Sequence, residues 1–365
     1  MESWAQCKNI LCIRPDNMGD LIMSGPAIRA LKQTFACKMT ILTSSMAAGV
    51  VKHMPEIDDA VIFDLPWIKT DKAENDLPGI ITELKSRDFD AAVIFTVYSQ
   101  SALPSAMLAY QAGIPRVLAY CRENPYGLIT HWVPDKEPFE TLKHQVQRDL
   151  DLVNRVGAEV TDSELHLCVN DNLWSDNVLQ NLTANGINPD EPWLILHNGV
   201  SEKKREYPME NWAAIAKELT GRGYQVLFTG SAAEKQLTEE LQLATGPGSY
   251  SLGGIFSLDE FICLIKNAPL IVSVNTGTVH IAAAVNTPVV VLYAQTNPQH
   301  TPWKVPCKIL QYSIADDLRS QNEIIRWVNK GLYSSHVPLP SADEVVSAAD
   351  ELLQQRLKSV NVFNR

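Results

Sequence analysis

Leu270-Ile-Val-Ser-Val274, Asn275-Thr-Gly-Thr-Val-His280, Ile281-Ala-Ala-Ala-Val-Asn-Thr287 and Pro288-Val-Val-Val-Leu292 form one continuous stretch whose reading decides the fold. Leu270 to Val274 reads as a short buried strand, Thr276-Gly277-Thr278 as a tight turn, and Val279 to Val285 as a small-residue helix. The first amides of such a helix have no partner inside it, so its start is suited to an anion. Gly277 allows a phosphate to approach the backbone, Thr276 and Thr278 add hydroxyl donors, and the helix dipole favours negative charge. An ordinary strand-to-helix turn of an α/β domain has the same local pattern, and this segment alone leaves both readings open.

A second turn of this kind lies near the N-terminus. The apolar strand Ile10-Leu-Cys-Ile13 leads into Arg14-Pro-Asp-Asn-Met-Gly-Asp20 and then a helix expected from Ile22 to Phe35. In open α/β sheets ligands collect outside the carboxyl ends of the strands, which places the Asp20 carboxylate where chemistry is done. The plain alternative is that Asp20 caps its helix. Asp16 competes for the same role, but beside Pro15 it reads as a turn residue.

At 365 residues and 45% hydrophobic content the chain has material for two cores, with two domains the default expectation. The formal charge of −11 argues against a general nucleic-acid binder, since phosphate backbones demand a basic surface. The N-terminal Met1-Glu-Ser-Trp-Ala-Gln has neither a basic region nor a long apolar run, so no signal peptide is expected. No stretch reaches the roughly 18 apolar residues of a membrane span. The seven cysteines are scattered, mostly in apolar segments and without a Cys-x-x-Cys pair. They read as reduced residues of a cytoplasmic protein, not as zinc ligands.

Strands and helices alternate almost throughout. Lys38 to Thr43, Ala60 to Phe63, Ala91 to Phe95 and Val117 to Tyr120 read as strands, with helical patterns over Leu77 to Arg87 and Ala102 to Ala112. That rhythm predicts a parallel sheet with helices on both faces. His144 to Val156 is an amphipathic helix stopped at Gly157. The polar, turn-rich stretch after it, with Asn170-Asp171-Asn172, reads as the interdomain linker. The alternation restarts with strands Trp193 to His197 and Gln225 to Thr229, a helix from Pro208 to Thr220, a helix opened by Gly230-Ser-Ala-Ala-Glu234, and a capping box at Ser257-Leu-Asp-Glu260. The expected architecture is α/β: two Rossmann-like domains, 1–175 and 176–340, facing each other across a cleft. A last helix in 341–365, about Ser341 to Leu357, packs back on them.

Absent motifs narrow the function. Neither Gly-x-Gly-x-x-Gly after a first strand, nor Gly-x-x-x-x-Gly-Lys-Ser/Thr, nor Gly-x-Ser-x-Gly occurs, which counts against dinucleotide dehydrogenases, P-loop hydrolases and α/β-hydrolases. Asp88-Phe-Asp90 precedes its strand and reads as a connection. Asp58-Asp59 and Asp316-Asp317 read as solvated turns with nothing nearby to complete an oxygen cage.

Arg14-x-x-x-Met-Gly-Asp20, Pro26-Ala-Ile-Arg-Ala-Leu-Lys32, the block His197-Asn-Gly-Val-Ser-Glu-Lys-Lys-Arg-Glu-Tyr-Pro208 before Trp212, Leu252-Gly-Gly-x-x-Ser-Leu258, Asn275-Thr-Gly-x-x-His280, Thr287-Pro288 and Thr296-Asn-Pro298 together resemble the heptosyltransferases of glycosyltransferase family 9. The resemblance runs from about residue 9 to 312, and it is the ordered set, not any one block, that is specific. It implies a GT-B fold with the acceptor on the N-terminal half and a nucleotide sugar on the C-terminal half. The implied activity is inverting transfer of heptose from ADP-heptose to the inner core of lipopolysaccharide, at the cytoplasmic face of the inner membrane, with no cofactor and no required metal.

The resemblance also implies roles. Asp20 is the candidate base that takes the acceptor hydroxyl proton, with Arg14, Asn17, Met18 and Gly19 around it on the acceptor side. The diphosphate would rest on Thr276, Gly277 and Thr278, with His280 one helical turn further on. A cation of Lys203-Lys204-Arg205 would balance the developing charge, Lys204 or Arg205 being nearest to the family's lysine. Arginine is a sensible replacement because it grips phosphate with two N–H groups. The plain alternative for this run is solvated surface charge. Glu234 would hold the ribose hydroxyls and Phe256 would stack near the adenine, unless they are simply a surface helix residue and a core aromatic. Asn275 stands where many relatives have aspartate, and Ala294-Gln-Thr-Asn-Pro298 also departs from the usual pattern. Both leave the donor's details open, and with them two other readings: another GT-B nucleotide-sugar enzyme, or a catalytically silent nucleotide-sugar-binding protein.

Overall fold

A computed structural model describes residues 4–69, 76–200 and 202–363, with side chains to residue 356. Residues 1–3 and Ser201 of the block before Pro208 lie outside the described residues. The chain forms two compact units, Met1–His166 and Leu167–Arg365. The break falls within the turn-rich stretch, but earlier than residue 175. Leu167 N–H donates to the Ala284 carbonyl at 3.4 Å, Trp174 stacks on Trp193 at 6.4 Å, and Asp171 pairs with Lys266 at 2.5 Å, so the chain after His166 is already anchored to the second core.

The first unit runs β1 (Asn9–Ile13), α1 (Met18–Phe35), β2 (Lys38–Thr43), α2 (Ser45–Val51), β3 (Asp59–Ile62), α3 (Leu77–Ser86), β4 (Ala91–Ile94), α4 (Leu103–Gln111), β5 (Val117–Cys121), β6 (His131–Pro134) and α5 (Gln145–Asn154). Its sheet has the order β3-β2-β1-β4-β5-β6 with every neighbouring pair parallel. Central strands of such a sheet are buried on both faces, which is why β1 reads as an unbroken apolar run. Alternate side chains of β1 go to opposite faces, and Leu11 and Ile13 join Ile80 and Leu84 of α3 and Ala106 and Ala109 of α4 in one core.

The second unit runs α6 (Leu179–Ala184), β7 (Trp193–His197), α7 (Met209–Gly221), β8 (Gln225–Gly230), α8 (Lys235–Thr245), β9 (Ser249–Gly253), α9 (Leu258–Asn267), β10 (Ile271–Val274), α10 (Gly277–Ala284), β11 (Val289–Ala294), β12 (Cys307–Tyr312), α11 (Glu323–Leu332) and α12 (Ala342–Phe363). Its sheet, β12-β11-β10-β7-β8-β9, repeats the topology of the first, again all parallel. Helix α12 closes the core of this unit, with Val345, Val346, Ala349 and Leu352 buried against Trp212, Ile215 and Val290. In each unit the strand order reverses between two central neighbours, β1 and β4 in the first, β7 and β10 in the second. The crevice outside such a reversal is where ligands bind.

Two local readings change, and the Asp88-Phe-Asp90 connection gains a role. Helix α1 starts at Met18, not Ile22: Asn17 takes extended backbone at the cap position and Leu21 N–H donates to its carbonyl at 3.1 Å, so Gly19 and Asp20 belong to the first turn. Helix α10 starts at Gly277, not Val279, with Thr276 as its cap residue. The Asp88-Phe-Asp90 link does structural work, because Asp90 accepts from the backbone amides of Lys8 and Asn9 at 2.7 and 2.9 Å and fixes the entry of β1.

Candidate functional site

The carboxyl end of β1 carries a buried charge cluster. Arg14 is 0% exposed, and its guanidinium lies 3.3 Å from Asp16 and 3.2 Å from Asp20. Burial works against the arginine charge, but Asp16, Asp20 and Asp149 outweigh it and raise its pKa. Burial pushes the Asp16 carboxyl up, opposed by Arg14, and Gln100 donates to Asp16 at 2.6 Å. Asp20 does not cap α1. It sits in the first turn, where the helix dipole stabilises a carboxylate, with its side chain 12% exposed. Arg14, Asn17, Met18, Gly19 and Asp20 therefore occupy one strand-to-helix corner.

A second layer supports this corner. The spacing in α5 puts Gln145, Arg148 and Asp149 on its buried face, where an apolar stripe was expected. Asp149 accepts from Ser24 Oγ at 2.7 Å and from Gln145 Nε2 at 2.8 Å, and Ser24 also donates to the Asp20 carbonyl at 3.2 Å. Burial pushes Asp149 up to about 6, with Arg14, Ser24, Arg148 and Gln145 pulling the other way. Arg148 donates to the Thr96 carbonyl at the end of β4 and pairs with Asp135 and Glu137, each at 2.9 Å.

In the second unit β10 ends at Val274 and the chain turns through Asn275 and Thr276 into α10. Thr276 makes no side-chain cap bond, and its hydroxyl is buried without a partner. Asn275 is committed to structure: its Nδ2 donates to the Ala294 carbonyl at 3.2 Å and to Thr296 Oγ1 at 3.0 Å, while its Oδ1 accepts from Ala294 N–H at 3.1 Å. Asparagine ties this turn to the end of β11 as a carboxylate, having no donor, could not. Arg205 reaches the same turn, donating to the Asn275 carbonyl at 3.1 Å while pairing with Glu202 at 3.2 Å. Lys204 lies instead 3.2 Å from Glu202. His280 is buried in α10 with its ring 6.3 Å from that of His300.

Beside the ends of β7 and β8 is a cavity of about 280 Å³ lined by His197, Glu234, Leu252, Phe256 and Phe261. It is mostly apolar and suits a flat ring. His197 contacts Thr229 at 3.0 Å and the Phe261 ring at 5.3 Å. Burial drives its pKa down to about 4, with Glu234 acting in the opposite direction, so the imidazole is neutral. Glu234 Oε2 accepts from Ser231 N and Oγ at 2.6 and 2.9 Å. Its Oε1 faces Gly199, where a Cβ would come within 2.1 Å.

The second unit thus brings Arg205, Asn275, Thr276 and Gly277 to one turn, and Glu234 and Phe256 to one cavity. Lys203 and Lys204 line a different, larger cavity of about 970 Å³. Three groups had no signal strong enough to single them out. Asn198 directly follows β7 inside the quoted block, but nothing in its neighbours marks it. Ser24 and Asp149 matter only through packing of α1 on α5. Among the described residues, Asp162, Glu164 and His166 could together ligate a metal, and they belong to none of these sites.

Residues 79–323 match the family model for glycosyltransferase family 9 (heptosyltransferase). Lipopolysaccharide heptosyltransferase 2 of Escherichia coli (strain K12) is 26% identical over 306 residues, covering 80% of this chain and 84% of that protein. The crystal structure of the glycosyl transferase family 9 from Veillonella parvula matches over 97% of this chain and 99% of its own, with a TM-score of 0.77 at 17% identity. The structure of the E. coli ADP-heptose lps heptosyltransferase II matches over 95% and 99%, with a TM-score of 0.72 at 22% identity.

Proposed function

Because the chain belongs to glycosyltransferase family 9, we propose that it is the inverting transferase that moves heptose from ADP-heptose to the inner core of lipopolysaccharide. The observation that carries the reading is the turn from β10 into α10. There an uncommitted Thr276 hydroxyl, the first amides of an eight-residue helix and the Arg205 guanidinium converge. A departing nucleoside diphosphate needs just such fixed positive charge, and helix amides with arginine supply it without calling on a metal. Thr278 and His280 extend this seat along α10. The cavity of His197, Phe256 and Phe261 takes the adenine, and Glu234 the ribose.

Asp20 acts as the base. As the acceptor oxygen attacks the anomeric carbon, its proton passes to the Asp20 carboxylate, the bond from that carbon to the diphosphate oxygen breaks, and the sugar inverts. The Arg14 guanidinium, 3.2 Å away, holds the Asp20 carboxylate in place. Arg205 faces the leaving group. Asn275 holds the turn, so its replacement of aspartate favours a structural change over the loss of activity that a binding-only protein would require.

The acceptor, a lipopolysaccharide precursor, resides in the inner membrane, and the protein works at its cytoplasmic face. Among the described residues no helix is long and apolar enough to cross a membrane. The test is transfer from ADP-heptose to core acceptors of graded length, followed by mass spectrometry. Asp20→Ala should lower turnover by 100-fold or more, on the order of what a general base contributes, while leaving ADP binding intact. Full turnover by that variant would remove Asp20 from the base role.

A further inference from the structure

We infer that Asn198 is a binding residue of the donor site, its side-chain amide closing with Glu234 on the ribose diol of the nucleotide. The inference rests on the donor reading above. Asn198 follows β7 directly, at the reversal of strand order in the second sheet. Its side chain is buried to 5% exposure, yet both Oδ1 and Nδ2 are without a hydrogen-bond partner. Buried amides are nearly always paired, because an unmet donor or acceptor keeps its full desolvation cost. An asparagine left open at both ends is therefore waiting for a ligand.

The surroundings say which part of the ligand. Asn198 lines the cavity of about 970 Å³, and Glu234 lines both that cavity and the smaller one of Phe256. Gly199, the residue after Asn198, lies against Glu234 Oε1, where a Cβ would come within 2.1 Å, and Asn198 and Glu234 line the same cavity. Glu234 Oε2 is engaged by Ser231, leaving Oε1 as the atom on the Gly199 side. A phosphate only accepts hydrogen bonds and would leave Oδ1 unmet, and an apolar group would leave both ends unmet. A vicinal diol does neither. One hydroxyl donates to the carboxylate, the other donates to Oδ1, and either accepts from Nδ2.

The test is titration of the full chain and of Asn198→Ala with ADP and with 2′,3′-dideoxy-ADP, alongside the melting temperature of each ligand-free protein. The expected result is about a tenfold loss of ADP affinity in the variant, the loss of one to two hydrogen bonds, with the dideoxy nucleotide bound equally by both proteins. The free variant should melt no lower than the parent, since it loses no internal partner. Equal loss for both nucleotides, no loss for ADP, or a lower melting temperature would overturn the inference. Failure of the parent to bind ADP at all would instead overturn the donor reading on which it stands.

Discussion

Single residues set the electrostatics of both candidate sites. Asp149 is fully enclosed, and its raised pKa means that the folded protein binds that proton more tightly than the unfolded chain does. Its contribution to stability is therefore greatest below the ordinary carboxyl pKa and is lost as pH rises through about 6. Asp149→Asn removes this dependence. In denaturant unfolding, the stability of the parent relative to the variant should fall by roughly 2 kcal/mol between pH 4 and pH 7 and then level off. A flat difference across that range would contradict the assigned burial. At Asn275 a carboxylate in place of the amide would face the Ala294 carbonyl, now 3.2 Å from Nδ2, and would lose both donated bonds. Asn275→Asp should cost about 1–3 kcal/mol, read from the same unfolding curves.

At the scale of elements, the reach of the sequence follows from what each element depends on. The inner strands were legible because burial on both faces leaves only apolar residues there, as in Val289-Val-Val-Leu292. The start of α9 was legible because Ser257 and Glu260 cap it locally, with Glu260 accepting from Ser257 N at 2.8 Å. Helix α2 was not. Its first residue, Ser45, is held by Asp64, which accepts from its amide and hydroxyl at 2.8 and 2.7 Å, a tertiary contact with no local trace. Strand β6 escaped for another reason: it is a half-exposed edge strand ending at Pro134, where the usual strand signals are weak. The Asp20 and Asn275 corners were visible as strand-turn-helix patterns, whereas Asp149 and Asn198 needed the packing. Element packing also makes a sharp prediction at β9. A Cβ on Gly253 would lie 2.4 Å from Thr238 Oγ1 and 2.7 Å from the Lys235 backbone. Backbone cannot move aside as a flexible side chain can, so Gly253→Ala should destabilise the second unit by about 1–3 kcal/mol, with a lowered denaturation midpoint as the readout.

For the molecule as a whole, two units share one strand topology. Each carries its charged or hydrogen-bonding groups just past the carboxyl ends of the central strands, on turns a rigid sheet holds in place. The first unit buries an arginine among carboxylates, beside the proposed base Asp20. The second offers backbone amides, Arg205 and an apolar slot, the proposed seat of the nucleoside diphosphate. The formal charge of −11 makes these local positive sites distinctive, since anions are otherwise repelled. The most direct measurement is a crystal structure of the full chain with ADP. Diphosphate oxygens are expected within about 3.2 Å of the first amides of α10 and of the Arg205 guanidinium, with adenine beside Phe256. A diphosphate bound elsewhere on the second unit, with the α10 amides unengaged, would contradict this placement.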